Sequence, residues 1–365
     1  MLTLAQARER IDALDEQIQA LISRRARIAQ EVAQIKLRDG ATGDHYRPAR
    51  EAEVLTRAIA RNQGPDGGPL TDETIARLMR EIMSACLSLE SPLTIAYLGP
   101  EGTYTQAAVL KHFGDAVRAR PLAAIDEIFR DVESGAADYG VVPVENSIGG
   151  VVSNTLDALV HTTLRICGEV TLPVHHHLLS TEPALDGVRK VYAHAQSFAQ
   201  CRKWLDARLP RAERETVSSN GAAAQLAREQ GAGVAAIASL QAARLNELQI
   251  LASNIEDDPS NTTRFLVVGK QDPGRTGRDL TSVVLSAHRN QPGALFRLLQ
   301  PFASAGLDLT RIESRPMKGA PVTDYFFFVD LAGHAQDPVV KAALDAVKAD
   351  AAFFKILGSY PQAVL

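Results

Sequence analysis

Arg8, Arg25 and Lys36 are the residues whose type and spacing first suggest chemistry in this chain. From Leu4 to Ile35 apolar residues recur every three or four positions, as Leu4, Ile11, Leu14, Ile18, Leu21, Ile28, Val32 and Ile35. That is the seam of a long amphipathic helix. Arg8 and Arg25 occupy slots in the same series, and Lys36 returns to nearly the same face. A guanidinium turned toward a packed helix face is costly unless an anion meets it, and the seam supplies no carboxylate. Cations without a nucleophile suit the capture of a small polyanion. At about 1.5 Å per residue, Arg8 and Arg25 lie about 25 Å apart, and Lys36 about 16 Å beyond Arg25. Both arginines of one straight helix therefore cannot grip one small molecule. Two antiparallel copies would bring Arg8 of one to Arg25 of the other, and a helix bending back would close a pocket near Lys36. The alternative is that the long basic side chains run out of the seam to water.

A second set of polar residues follows apolar, strand-like runs. Gly99-Pro-Glu-Gly-Thr103, Glu145-Asn146-Ser147, His194 with Gln196, Ser218-Ser219-Asn220 and Ser239 each stand after such a run. Asn261-Thr-Thr263-Arg264-Phe265 leads into one instead. In open α/β sheets ligands bind at the carboxyl ends of strands, where these clusters fall.

The elements that must hold these residues divide the chain into three segments. Residues 1–92 read as three helices, at about 3–38, 47–62 and 71–90, broken by the Gly- and Pro-bearing stretch Asn62–Pro69. So long a first helix with so few neighbours cannot bury its seam alone, so an intertwined dimer sharing helices is expected. Residues 93–270 alternate strands (Thr94–Leu98, Tyr139–Val144, Val174–Leu179, Val191–Ala193, Gly233–Ala238 and Arg264–Val268) with helices, the pattern of a two-lobed α/β domain with a cleft. A polar linker, Lys270–Asp279, precedes residues 280–358. These read strand Ser282–Ala287, helix Pro292–Ala305, strands Leu309–Ser314 and Asp324–Leu331, helix Pro338–Asp350 and strand Phe353–Leu357, the α+β ferredoxin-like order. The fold class is thus multi-domain: all-α, then α/β, then α+β.

The bulk numbers narrow the function. The 365 residues, 45% apolar and 22% charged with net charge −4, suit a soluble multidomain protein. Basic residues are dispersed, so no nucleic-acid partner is expected. No apolar run has membrane-span length, and charges at Arg8, Glu9, Arg10 and Asp12 do not fit a signal peptide. Cys86, Cys167 and Cys201 read as free thiols, and a cytoplasmic location is expected.

Taken together, these residues resemble the bacterial P-protein family, a fused chorismate mutase and prephenate dehydratase with an ACT regulatory domain. The resemblance rests on Val142-Pro-Val-Glu145-Asn146-Ser147, Gly99-Pro-Glu-Gly-Thr103 and above all Asn261-Thr-Thr263-Arg264-Phe265. It rests also on Gly293-Ala294-Leu295 and Glu313-Ser314-Arg315-Pro316 in the last segment, and on Arg8, Arg25, Lys36 and Arg50-Glu51 in the first. It implies a multifunctional allosteric enzyme of phenylalanine biosynthesis, an isomerase and a lyase on one chain, without cofactor. Chorismate and prephenate would be the substrates, phenylalanine the effector, and a homodimer or higher homo-oligomer the assembly.

For the mutase, the resemblance implies that Arg25 and the partner chain's Arg8 take the two substrate carboxylates. Lys36 would reach the ether oxygen and Glu51 the substrate hydroxyl, with catalysis by orientation and charge stabilisation. Three positions depart from the family's better-known pattern: Cys86 stands where a serine is common, Glu90 where a glutamine is, and Arg47 where some relatives carry an acid. Arg47 and Cys86 are still counted with the substrate-binding set. An ionised Glu90 repels charge growing on the ether oxygen, so it helps only when protonated. A mutase rate rising toward acid is expected, flattened by Glu90→Gln. The alternative is an exposed helix-end residue.

For the dehydratase, the resemblance makes Thr263 the residue on which loss of the ring hydroxyl depends, donating within a hydrogen-bond network. Arg264 is a candidate carboxylate anchor or a structural residue, since neighbours on a strand face opposite ways. Thr103, Glu145, Asn146, Ser147 and Ser218 are candidate cleft residues, each equally suited to capping. In the last segment, Gly293, Ala294 and Leu295 at a helix start, with Glu313, Ser314, Arg315 and Pro316, are the expected phenylalanine site. His175-His176-His177 invites a metal, but spacing places no third ligand, so none is expected. Two other readings stay open. One is a dehydratase whose helical part serves only dimerisation; the other is an amino-acid-responsive binding protein without catalysis. Prephenate and arogenate are not distinguished.

Overall fold

In the computed structural model the described residues are 2–38, 46–65, 67–288, 291–317 and 324–364. The chain opens with α1 (Leu4–Arg38), α2 (Pro48–Asn62) and α3 (Asp72–Ser88). Pro48 starts α2 with a fixed φ, and the Thr71 hydroxyl caps α3 by accepting from the Thr74 amide. The expected three helices are all present. α1 leaves its apolar seam bare in the single chain, with Leu4 68% and Leu21 64% exposed.

The middle of the chain runs β1 (Thr94–Leu98), α4 (Tyr104–Phe113), β2 (Arg118–Leu122), α5 (Ile125–Ser134), β3 (Tyr139–Asn146), β4 (Gly150–Val151), α6 (Ser153–His161), β5 (Arg165–Pro173) and β6 (His177–Ser180). After a 3₁₀ turn come β7 (Lys190–Ala193), α7 (Ala195–Gln200), α8 (Arg202–Arg208), β8 (Glu213–Thr216), α9 (Asn220–Gln230), β9 (Val234–Ala238), α10 (Leu240–Leu245), β10 (Gln249–Ala252) and β11 (Thr262–Gly269). These strands form two sheets, ordered β2-β1-β3-β11-β5, with β4 on β3, and β10-β6-β9-β7-β8. The chain leaves the first sheet after β5, builds the second, and returns as β11 into the first between β3 and β5. Two lobes joined by two crossings result. The single strand expected at Val174–Leu179 straddles the first crossing: Pro173 ends β5 and His177 opens β6.

The last segment is β12 (Asp279–Ser286), α11 (Ala294–Ser304), β13 (Leu309–Pro316), β14 (Tyr325–Ala332), α12 (Pro338–Asp350) and β15 (Phe353–Pro361), in the antiparallel order β13-β14-β12-β15. This is the ferredoxin-like arrangement. Its sheet does not stand apart from the first lobe. Val284, Phe328, Leu357 and Tyr360 share one apolar core with Ile166, Leu266, Val268 and the α5–α6 side chains. β15 lies so close to β5 that a Cβ on Gly358 would fall 2.3 Å from the Ile166 carbonyl oxygen.

Candidate active sites

In the helical segment, Arg25, Cys86, Glu90 and Lys36 come together. Ile82 and Cys86, four residues apart, share the α3 face that meets α1, and Glu90 follows in the turn just past the helix. The Arg25 guanidinium donates to the Ile82 carbonyl (3.4 Å), Cys86 is buried, and the Lys36 ammonium lies 3.6 Å from Glu90. Glu90 is not an exposed helix end: its side chain is only 6% exposed. Arg8 is exposed on α1, far along the bare seam.

Glu51 and Arg47 go elsewhere. The first turn of α2 directs Glu51 to the opposite side of α3, where its carboxylate meets Arg80 Nε at 3.3 Å, so in the single chain it is not placed to take a substrate hydroxyl beside Lys36. Arg47 is exposed at the N-cap of α2, beside a hollow also lined by Arg275 and Arg278.

In the two-lobed segment, Thr263 and Asn146 sit directly opposite each other on β11 and β3. The Asn146 amide NH₂ lies 2.9 Å from the Thr263 hydroxyl and 2.8 Å from Asn261 Oδ1. Its carbonyl oxygen accepts from the amides of Ile148 (3.1 Å) and Gly149 (2.7 Å). Asn146 is thereby fixed, and the Thr263 oxygen accepts from it with the hydroxyl hydrogen directed elsewhere. Ser147 is exposed, and its hydroxyl accepts from the Thr262 amide (3.0 Å). The second lobe closes on this edge. The Ser239 hydroxyl donates to the Gly102 carbonyl (2.9 Å), and a Cβ on Gly149 would fall 2.2 Å from Gln196 Nε2. Asn220 accepts from the His194 amide and pairs with Ser197, tying the starts of α7 and α9 together. The N-termini of α4 and α9 lie at this junction, since Gly221 packs against the Glu101 carbonyl. Helix N-termini favour carboxylates.

Thr103, Arg264 and Glu145 are otherwise engaged, and Ser218 lies open. The Thr103 hydroxyl caps α4, accepting from Gln106 N and donating to Leu98 O (3.1 Å). Ser218 is exposed just before Ser219, the residue that caps α9. Arg264 is not a cleft anchor. Strand alternation turns it away from the Thr263 face, and its guanidinium binds Asp330 (2.6 Å), Glu169 (2.9 Å) and the Tyr360 hydroxyl (3.0 Å). Burial opposes its charge, yet Tyr360, Asp330 and Glu169 together hold its pKa above the ordinary value. Removing one partner of such a buried pair costs roughly 3–5 kcal/mol. Glu145 likewise leaves the cleft side and binds Arg311 of β13 at 2.7 Å.

The three histidines hold no metal arrangement; among the described residues no group of three or more His, Cys, Asp or Glu is placed to bind an ion. His175 Nδ1 lies 2.7 Å from Glu256, His176 is bound between the Tyr104 hydroxyl (3.0 Å) and Gln200 (2.7 Å), and His177 Nδ1 accepts from the Asn254 amide. They brace the crossings between the lobes. No helix among the described residues is long and apolar enough to cross a membrane.

The chain matches the family models for chorismate mutase type II over residues 7–91, prephenate dehydratase over 95–273 and the ACT domain over 281–349. It is 53% identical over 362 residues to the bifunctional chorismate mutase/prephenate dehydratase of Stutzerimonas stutzeri, covering 98% of this chain and 97% of that protein. The chain belongs to the bifunctional chorismate mutase/prephenate dehydratase family. Among solved structures it resembles prephenate dehydratase of Arthrobacter aurescens in complex with L-Phe, with a TM-score of 0.68, 37% identity, and 74% of this chain and 90% of that one covered. It also resembles GqqA, described as a novel type of quorum quenching acylase, with a TM-score of 0.68, 30% identity, and 74% and 98% covered. One fold thus occurs with two described chemistries, so function must be argued from the site.

In the ACT domain, Gly293 caps α11 with φ +78°, a left-handed conformation that costs other residues strain. Ala294 is buried and Leu295 half-buried behind it. Ser314 and Pro316 lie on the exposed face of β13, while Glu313 and Arg315 turn toward the dehydratase lobe. Arg315 is not open to a ligand there: it pairs with Asp157 of α6, Nη2 to Oδ2 at 2.7 Å. Arg80, Arg311 and Asp330 were not legible as site residues, and Asn261 was read only as part of its motif. The alternation Arg311-Glu313-Arg315 was a usable signal, since three charges on one strand face predict a polar interface.

Between the mutase helices and the dehydratase sheet lies a hollow of about 440 Å³ that includes Tyr46, Glu51, Arg80, Lys111 and His112. Burial raises the Glu51 pKa, Arg80 offsetting part of this. Burial, with Arg80 adding repulsion, depresses His112 to about 3. The folded chain keeps this ring neutral, whereas the unfolded chain protonates it near pH 6.5. Its contribution to stability is therefore whole above pH 6.5 and falls as the pH drops toward 3, by up to about 1.4 kcal/mol per pH unit. His112→Gln is expected to flatten that acid limb in urea titrations run from pH 7 to 4. Parallel limbs for the two proteins would contradict a neutral buried ring.

Proposed function

We propose that this chain converts chorismate to prephenate in residues 1–92, and prephenate to phenylpyruvate, carbon dioxide and water in residues 93–270. Phenylalanine exerts feedback inhibition through residues 280–358. The observation that carries the reading is the contact between the Thr263 hydroxyl and the Asn146 amide at 2.9 Å, at the meeting edge of the two lobes.

In the mutase step no bond to the protein forms. Arg25 and the partner's Arg8 fold the dicarboxylate into a reactive conformer, and Lys36 stabilises charge growing on the ether oxygen. The apolar stripe of α1, bare in the single chain, supports a homodimer in which the two protomers complete each other's site. Glu90 shares the Lys36 end of this face. Glu90→Gln is expected to raise mutase turnover severalfold, since an amide can donate to the ether oxygen where a carboxylate cannot; unchanged turnover would remove Glu90 from that oxygen.

In the dehydratase step, decarboxylation pushes electrons into the ring as the ring hydroxyl departs. The barrier lies in expelling hydroxide, so a donor at that oxygen is the main requirement. Thr263, oriented by Asn146, supplies the hydrogen bond within a network that relays a proton. A cytoplasmic location belongs to this reading, supported by Cys86, Cys167 and Cys201 being free thiols. Feeding chorismate to the whole protein and following prephenate and phenylpyruvate separately tests both steps. A chain that makes prephenate only, or neither product, would falsify the corresponding part.

A further inference from the structure

Behind the Asn146–Thr263 pair lies a square of four charges. Glu145 and Arg264 are the next register partners on β3 and β11, one residue along each strand from Asn146 and Thr263. Arg311 and Asp330 are register partners on β13 and β14 of the ACT sheet. The ion pairs run across the two sheets: Glu145 to Arg311 at 2.7 Å, and Arg264 to Asp330 at 2.6 Å. The socket for Arg264 is completed by Glu169 of β5 (2.9 Å) and Tyr360 of β15 (3.0 Å). Ser282 of β12 lies 2.6 Å from Asp330 and 2.8 Å from the Tyr360 hydroxyl.

We propose that Arg311 and Asp330 are positioning residues for the dehydratase reaction, acting through Glu145 and Arg264 to hold Asn146 and Thr263 in register. The pleat makes the mechanism local. Consecutive residues face opposite sides of a sheet, so gripping Glu145 and Arg264 from the ACT side sets the height and tilt of the backbone that presents Asn146 and Thr263 to the cleft. Two adjacent strands are gripped at neighbouring positions, which fixes their offset as well. A displacement of about 1 Å between a donor and a leaving group costs on the order of a hundredfold in rate.

The square also has a second pairing. Each charge has its complement directly across the ladder in its own sheet, at the spacing of cross-strand neighbours, about 5 Å between Cβ atoms. The sheets can therefore part by a small distance without stranding a buried charge, each square edge re-forming within its sheet. The grip on Thr263 is thus releasable, and the ACT domain is the body that releases it.

The proposal rests on the dehydratase reading, and its test uses the full chain. The double swap Arg311→Asp with Asp330→Arg keeps net charge and the complement within the ACT sheet, but turns both cross-sheet pairs repulsive. Dehydratase kcat with prephenate is expected to fall roughly tenfold to a hundredfold, KM to change by less than about threefold, and mutase turnover on the same preparation to stay within about twofold. Asp330→Glu recovers most of the kcat that Asp330→Asn loses. If the swap yields no folded protein, Arg311→Gln, which leaves the Arg264–Asp330 pair in place, gives the same kcat-against-KM split. Wild-type kcat in the swap or in Arg311→Gln overturns the proposal, as does Asp330→Glu performing no better than Asp330→Asn. A wild-type chain that does not turn over prephenate overturns the dehydratase reading together with it.

Discussion

Thr263→Val is expected to abolish phenylpyruvate formation while leaving prephenate formation intact, so that the protein fed chorismate accumulates prephenate. Valine fills the threonine's space but has no hydroxyl. Asn146 keeps its bond to Asn261 and its two backbone donors from Ile148 and Gly149, so the local structure loses one hydrogen bond, worth about 1 kcal/mol. The chemistry loses far more. Positioned proton donation contributes on the order of 10²–10⁴ in rate, and Thr263 is the donor this reading assigns to the departing hydroxide. The loss belongs in kcat, with KM for prephenate nearly unchanged, because a hydrogen bond that strengthens as the oxygen departs adds little in the ground state. Thr263→Ser, which keeps the hydroxyl, is expected to retain most of the turnover. Steady-state rates with prephenate decide the matter. Substantial kcat in the valine variant would show that the hydroxyl does not assist the leaving oxygen.

Arg8→Ala and Arg25→Ala are each expected to lose nearly all mutase turnover, and a mixture of the two to regain part of it. A carboxylate buried against arginine and then deprived of it costs roughly 3–5 kcal/mol, a loss of about 10²–10⁴ in rate. The recovery follows from which chains build each site. If every site takes Arg8 from one protomer and Arg25 with Lys36 from the other, a mixed dimer has one site with both substitutions and one with neither. Random exchange makes about half of the dimers mixed, each with one of two sites intact, so about a quarter of wild-type turnover returns. The measurement is chorismate consumption after the two inactive variants are unfolded together and refolded. No recovery would mean that each protomer builds its site alone. Dehydratase turnover, measured alongside, reports that both variants are folded.

Much of this architecture can be read from residue order, and the failures have identifiable causes. α1 was legible because a period of three to four residues persists over many turns. β1, β7 and β9 were legible as short apolar runs. β2 was missed because Arg-Ala-Arg-Pro-Leu on a sheet edge carries no apolar pattern, and β8 because Glu-Arg-Glu-Thr is exposed throughout. Thr263 and Asn146 could each be named from their motifs, but their pairing across 117 positions depends on β11 returning into the middle of the first sheet. Arg264 stayed ambiguous for the same reason. Its facing is set by alternation, but the partner on that face, Asp330, belongs to another domain. The separation of Glu51 from Lys36 depends on which side of α3 the first turn of α2 meets, which helical periodicity alone leaves open.

The core shared by the ACT sheet and the dehydratase lobe bears on how such sensors are exchanged between enzymes. Val284, Phe328, Leu357 and Tyr360 have no covering layer of their own on that side. Cut at the linker, this module would carry a greasy flank into solution, and the enzyme it left behind would carry the matching scar. Grafting it onto a foreign host would therefore demand a host wall of the same shape. The sensor is less a plug-in part than one half of a joint, whose two halves must change together.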